Sequence, residues 1–393
     1  MDKVRYGVIG IGNMGNGYIN DYNSGNIKGG VLTAICDVNE AKLNAVKERL
    51  PENCAVFTDP EELIKSGTVD AVVIATPHYD HPVLAIKAFE NGLHVVIEKP
   101  AGVYTKKVRE MNEAAAKSGK KFMIMFQNRT NPLYAKMHEL VAAGAIGEIK
   151  RVTLLITDWY RPQSYYDSGS WRATWEGEGG GVLLNQAPHN LDLWQWITGM
   201  MPSKIRANCH MGKWHDIEVE DDVTAYFEYP NGATGVFVTS TGDYPGTNYF
   251  EILGDEGKLV VTGGQLAYYK NKMNEREFNR ANEVSFAIPG HERVEVEIPK
   301  PEGPLGHIWM MNNFFSSILH DTPLYVPGEE GIKSLMMSNA MYLSGWLDKT
   351  VELPIDEDEF LAELNKRRAT SNFKAKVSKD DVVVEDISKT FMK

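Results

Sequence analysis

VRYGVIGIGNMG, residues 4–15, decides the fold. Val4–Ile9 is an apolar run of strand length, and Gly10-Ile11-Gly12-Asn13-Met14-Gly15 follows it ahead of a helix-like stretch. A G-x-G-x-x-G turn carries meaning only in this setting, with a strand before and a helix after. Gly10 permits the tight turn, Gly12 lets backbone approach a pyrophosphate, and Gly15 allows the helix to pack close to the strand. The exposed N–H groups and the positive end of the helix then hold phosphates. A second strand, GGVLTAICD (residues 29–37), ends at Asp37, about where an acid meets the adenosine ribose hydroxyls. A carboxylate there repels a 2′-phosphate, which favours NAD over NADP. The alternative for Asp37 is a helix cap ahead of VNEAKLNAVKERL, residues 38–50.

Strand-like runs recur at VDAVVIATP (69–77), LHVVIEKP (93–100) and KFMIMFQN (121–128), with helical stretches at 81–92 and 105–119 between them. This alternation predicts right-handed crossovers and a doubly wound parallel sheet, the α/β class. Ligands of such sheets bind beyond the carboxyl ends of the strands. Thr76-Pro77, Glu98-Lys99-Pro100 and Gln127-Asn128-Arg129 all fall at such ends. Val95-Val96-Ile97 stops abruptly at Glu98-Lys99-Pro100. Charged residues with proline commonly end strands, but here they also place Lys99 where a cofactor's reactive ring would lie. His81, near the start of its helix, either touches the cofactor or faces solvent. The expected cofactor set is Gly10, Ile11, Gly12, Asn13, Met14, Gly15, Asp37, Thr76, Pro77, His81, Glu98, Lys99, Gln127 and Asn128.

After residue 130 the texture changes. IKRVTLLITDWY (149–160) alternates, DDVTAYFEYPNGATGVFVTST (221–241) reads as a hairpin around Asn231-Gly232, and 248–270 continues the meander. An α+β domain with a largely antiparallel open sheet is expected, giving domains at 1–130 and 131–360 and a tail at 361–393. The acidic run at 356–359 should begin a surface helix. In WRATWEGEGGGVLLNQAPHNLDLWQWITG (171–199), Pro188 is tolerated only in a first helical turn. The helix is therefore expected to start near Asn185, with His189, Asp192 and Trp196 on one face. The triple glycine suggests that backbone approaches something closely, and Asp192 could fix the His189 tautomer.

The chain has 393 residues, 43% of them hydrophobic, which is too long for one typical domain. A net charge of −12, without a long Lys/Arg cluster, weighs against nucleic acid or an anionic membrane as partner. No apolar stretch approaches the roughly 20 residues that span a bilayer. The three cysteines, Cys36, Cys54 and Cys209, are scattered and suit a reducing compartment. With no charged-then-apolar leader before the first strand, a cytoplasmic location is expected. His210, His215 and the acids of HDIEVEDD (215–222) fit no compact ligand set, so a solvated strand edge is expected there and no metal.

The motifs GIGNMG (10–15), ICD (35–37), ATP…H (75–81), EKP (98–100) and GGG…H..D (179–192) occur in an order that resembles the Gfo/Idh/MocA oxidoreductases, over about residues 3–350. The resemblance implies hydride transfer between a secondary carbinol and a nicotinamide cofactor, with Lys99 beside the reacting hydroxyl and His189 moving its proton. One departure stands out: many members carry aspartate four residues before that histidine, and this chain has Asn185. The cationic ring and partial burial would lower the Lys99 pKa, while Asn185 would orient substrate or imidazole.

Residues 158–175, DWYRPQSYYDSGSWRATW, interleave Trp and Tyr with Arg, Gln and Asp, which suits a polyol with apolar C–H faces. Aromatic packing in the core or at a subunit interface is the alternative. The expected substrate contacts are Arg129, Tyr160, Trp171, Arg172, Asn185 and Asp192. The resemblance implies a sugar, glycoside or cyclitol oxidised at a ring hydroxyl, for example position 3. Inositol oxidation, a redox-assisted glycosidase in which NAD oxidises the sugar transiently, and a non-catalytic NAD sensor are the other classes it admits. It also implies a homodimer or homotetramer paired through the open sheet.

Overall fold

A computed structural model of the chain describes residues 2–372. Two units emerge among the described residues: 2–127, 177–179 and 302–335 form one, and 128–176, 180–301 and 336–372 form the other.

The first unit is built on six strands: β1 (Val4–Ile9), β2 (Gly30–Cys36), β3 (Ala55–Phe57), β4 (Ala71–Ile74), β5 (His94–Ile97) and β6 (Phe122–Ile124). They pair in parallel in the order β3-β2-β1-β4-β5-β6. The continuous apolar run of β4 is buried on both faces because helices cover both sides of the sheet. Strand order reverses between β1 and β4, so a crevice opens where their carboxyl ends diverge. Residues 302–335, expected in the second domain, return to this unit. The helix Gly306–His320 presses Phe315 onto Tyr6 and onto Gly30, where a Cβ would lie 2.3 Å from the phenyl ring. An apolar helix carries no local sign of which sheet it will cover, so its sequence position misleads.

The second unit is a nine-stranded mixed sheet: β7 (Ile149–Ile156), β8 (Lys204–Met211), β9 (Glu220–Glu228), β10 (Thr234–Ser240), β11 (Asn248–Gly254), β12 (Gly257–Thr262), β13 (Gln265–Asn271), β14 (His291–Val294) and β15 (Val351–Glu352). The order is β14-β13-β12-β11-β7-β10-β9-β8-β15, antiparallel except for β7 beside β10. The β9–β10 hairpin turns at Asn231-Gly232, with Gly232 at φ +84° and Asn231 Oδ1 accepting from Ala233 N. One face of the sheet carries Phe227, Phe237 and Phe250 against Trp194 of the helix Pro188–Thr198. Trp194 is fully buried, and truncating such a residue costs about 3–5 kcal/mol. The opposite face leaves Tyr226 43% exposed, with Thr153, Leu155, Val236 and Val238 half-buried.

The acidic run does open a helix, Glu357–Arg368. Asp356 accepts from Asp358 N and Glu359 N, and basic residues fill its last turn. The tail expected at 361–393 therefore starts too early, because this helix runs on to Arg368; from 373 on it lies outside the described residues. Among the described residues, no helix is long and apolar enough to cross a membrane.

Candidate active site

In the first unit the three glycines do distinct work. Gly10 sits at φ +94°, and a Cβ there would lie 2.6 Å from the Ala75 carbonyl oxygen. A Cβ on Gly15 would lie 2.0 Å from the Gly10 oxygen, whereas nothing stands within 4 Å of one on Gly12. The helix Asn13–Asn23 starts here, so its free N–H groups border the open position at Gly12. Asp37 is buried; its Oδ2 accepts from Ile11 N at 2.7 Å and its Oδ1 from Asn39 N at 2.8 Å. The helix that follows is capped by Asn39 and not by Asp37. The carboxylate therefore belongs to the glycine turn. Just past β4, Thr76 Oγ1 is buried with no hydrogen-bond partner, the kind of atom a bound polar group satisfies. An open backbone cradle, a carboxylate at the end of β2 and this orphaned hydroxyl together fit a dinucleotide.

Two expected cofactor contacts have their polar atoms turned inward. His81 is buried, with Nδ1 2.8 Å from the Pro100 carbonyl oxygen and Nε2 2.8 Å from that of Thr76. It ties the turn after β4 to the turn after β5 and neither faces solvent nor offers a nitrogen to a cofactor. Burial lowers its pKa, and the two carbonyls oppose that. Glu98 is also buried: Tyr18 Oη donates to its Oε1 at 2.6 Å, and His307 Nε2 lies 3.5 Å from that oxygen. Burial alone would raise the Glu98 pKa, but His307, Tyr18 and Lys99 outweigh it and hold the carboxyl at about 2. Lys99 itself is half-buried at the exit of β5. Pro77 is half-buried beside Thr76, and Gln127 opens a short 3₁₀ turn, Gln127–Thr130, that also carries Asn128.

In the second unit Arg129 and Asp192, expected to contact substrate, are both buried and face each other. Arg129 Nε donates to Asp192 Oδ2 at 2.8 Å and Nη2 to Oδ1 at 2.6 Å. Gln195 Nε2 also donates to Asp192 Oδ1, and Arg129 lies over the Trp196 ring. A bidentate pair is how two such charges tolerate burial, so these residues brace the His189 helix from within. His189 is 3% exposed on that helix. The helix starts at Pro188, not near Asn185. Asn185 instead ends a separate short helix, Val182–Asn185.

The triple glycine serves the protein's own packing. A Cβ on Gly181 would lie 1.9 Å from the Glu220 carbonyl oxygen, and one on Gly180 2.0 Å from the Tyr342 hydroxyl. The fully buried Glu220 carboxylate accepts from Gly181 N, Leu183 N and Tyr342 Oη. Burial pushes its pKa up to about 7 against these donors. Asp221 is fully buried too, accepting from the N–H groups of Lys213, Trp214 and His215 and lying 2.9 Å from His215 Nδ1. The expected solvated edge is thus only partly present: His210 and Asp216 are exposed, while Glu220 and Asp221 are interior. Strand parity could have placed Asp221 inward with Val223, Ala225 and Phe227. Nothing local marks Glu220.

Part of the aromatic segment packs into the core, with Tyr166 and Trp175 buried, and part is half-exposed. Arg172 lies over the Tyr165 and Trp171 rings and donates to Tyr165 Oη at 2.9 Å. Gln186 Nε2 reaches both Tyr165 Oη and Asn185 Oδ1, at 3.2 and 3.3 Å. Tyr160 is 45% exposed, edge-on to Tyr244. Tyr165 and Gln186 were not among the expected contacts, although both fall within the stretches that supplied them.

Residues 4–126 match the oxidoreductase family, NAD-binding Rossmann fold, and residues 134–260 match the GFO/IDH/MocA C-terminal domain. Trans-1,2-dihydrobenzene-1,2-diol dehydrogenase of Bos taurus is 30% identical over 270 residues, covering 65% of this chain and 76% of that enzyme. Myo-inositol 2-dehydrogenase of Thermotoga maritima is 28% identical over 265 residues, covering 66% and 75%. The WlbA dehydrogenase from Bordetella pertussis, solved in complex with NADH and UDP-GlcNAcA, superposes with a TM-score of 0.75 at 28% identity, over 90% of this chain and 100% of that one. With a glycine cradle fitted to a dinucleotide and both halves of the chain matched, the protein belongs to the Gfo/Idh/MocA family of NAD-binding oxidoreductases.

Proposed function

We propose that the protein is an NAD-dependent dehydrogenase that oxidises a secondary ring hydroxyl of a sugar, glycoside or cyclitol. The observation that carries this reading is the placement of Lys99. It stands half-buried at the carboxyl end of β5, on the edge that also holds the glycine turn after β1 and Thr76 after β4. NAD, when bound, supplies the hydride acceptor. Gly10–Gly15, Asp37 and Thr76 would hold it. The Lys99 ammonium holds the substrate hydroxyl and stabilises the developing alkoxide, and His189 takes the proton. Asn185, already hydrogen-bonded by Gln186, orients substrate, with Tyr160, Trp171 and Arg172 offering stacking faces and polar edges. Relatives named for inositols and for a cyclic dihydrodiol support a ring carbinol as the substrate class.

A panel of sugars, glycosides and cyclitols, read by NADH absorbance, tests the proposal. Lys99→Ala should leave NAD affinity within a few-fold while turnover falls by roughly 10²–10⁴. His189→Ala should behave alike, and the double variant should lose less than the product of the two, because both serve one proton path. Near-normal turnover in Lys99→Ala would reduce the lysine to a strand terminator. Aglycone release without net NADH would replace the dehydrogenase reading with a redox-assisted glycosidase.

A further inference from the structure

The C-terminal helix of the second unit reaches back to the end of the aromatic segment. Arg368 Nε and Nη2 donate to the two Glu176 carboxylate oxygens, at 2.8 and 3.1 Å. Ser371 Oγ accepts from Glu176 N at 3.2 Å and donates to Glu218 Oε1. Glu218 Oε1 also accepts from Trp175 N at 2.7 Å, and Asn372 N donates to Oε2 at 2.8 Å. The Trp175 ring is buried edge-on against Tyr342 and Trp346. Trp346 in turn stacks on Phe360 of the C-terminal helix, with the Arg367 guanidinium 4.0 Å from its centroid. The N–H groups of residues 175 and 176 are therefore both held by partners that the C-terminal segment completes.

We infer that Arg368 and Ser371 are positioning residues for substrate binding: they latch Trp175-Glu176 and so hold Trp171 and Arg172 in place. The inference rests on the reading of residues 158–175 as sugar contacts. The route is short. Arg172 stands four residues before Glu176 and reaches Tyr165 Oη, which Gln186 shares with Asn185. The latch is bidentate and charge-assisted, so it fixes direction as well as distance. It comes from 192 residues away in sequence, and so can be perturbed without altering any residue that touches substrate.

The test uses the full chain with Arg368→Glu, Glu176→Arg and the two combined, with the best substrate of the panel. Each single reversal should raise KM about 10-fold, with kcat within about two-fold and NAD affinity unchanged. Amide exchange across residues 163–176 should quicken, and the combined reversal should bring KM and exchange back toward the parent. Unchanged KM and exchange in both single variants would overturn the inference, as would a combined variant as impaired as the singles together. A cooperative thermal transition like the parent's certifies that each variant is folded; Arg368→Gln is the milder substitute if Arg368→Glu is not. If the parent oxidises no sugar, the proposed function fails on its own and exchange alone decides the latch. Quickened exchange at 163–176 in Arg368→Glu, reversed in the combined variant, sustains it, and unchanged exchange overturns it.

Discussion

Asp37 carries two tasks in one carboxylate. Its oxygens anchor the glycine turn through Ile11 N and the next turn through Asn39 N, and Lys42 Nζ stands 3.6 Å away. That anchored negative charge would meet a ribose 2′-phosphate at close range. Asp37→Ser should weaken NAD binding by about 10-fold or more and narrow the gap to NADP, as measured by titrating both cofactors. Faster turnover of the unmodified protein with NADP than with NAD would contradict this. His81 and Glu98 show the opposite fate for residues beside a site. Their polar atoms are directed at Thr76, Pro100, Tyr18 and His307, and so they tie together the turns on either side of Lys99.

The short helix Val182–Asn185 is too brief to be stable alone, and Glu220 supplies what its first turn lacks. Two backbone N–H groups and the Tyr342 hydroxyl converge on that carboxyl group, whose pKa burial raises from the ordinary 4.5 to about 7. A folded value above the unfolded one gives a contribution to stability that is complete below about 4.5 and is lost as pH rises through about 7. Between pH 5 and pH 8 the parent should therefore lose roughly 2–3 kcal/mol that Glu220→Gln keeps. Urea unfolding of both proteins at the two pH values measures this. Parallel pH dependence in the two would show that Glu220 titrates normally.

At the scale of the molecule, the nine-stranded sheet has one face closed by the Trp194 helix and one face left partly open. Tyr226, Val236 and Thr153 lie side by side on the open face, as the pairings Val236↔Tyr226 and Val236↔Thr153 require. An apolar sheet face of this kind is stabilised by a cover, and a second copy of the same surface is self-complementary about a two-fold axis. Sedimentation should find a dimer or larger at micromolar concentration, and Val236→Glu should shift it toward monomer. A monomeric parent would defeat the expectation.

The nucleotide-binding half was legible in the sequence because its signals are local. A glycine turn, strands buried on both faces and polar residues at strand ends each lie within a few consecutive residues, and parallel topology brings those ends to one edge. Only the tertiary structure removes the helix-cap alternative for Asp37, because Asn39 takes the cap. The second unit's hairpin and its acidic helix start were legible for the same reason. What tertiary structure alone decided is which polar groups are interior. Arg129 finds Asp192 across 63 residues, and Glu220 finds Tyr342 across 122. A buried charge must be paired or hydrogen-bonded, and its partner can come from anywhere in the chain. Residue type therefore named the candidates, while burial and pairing determined which of them face inward.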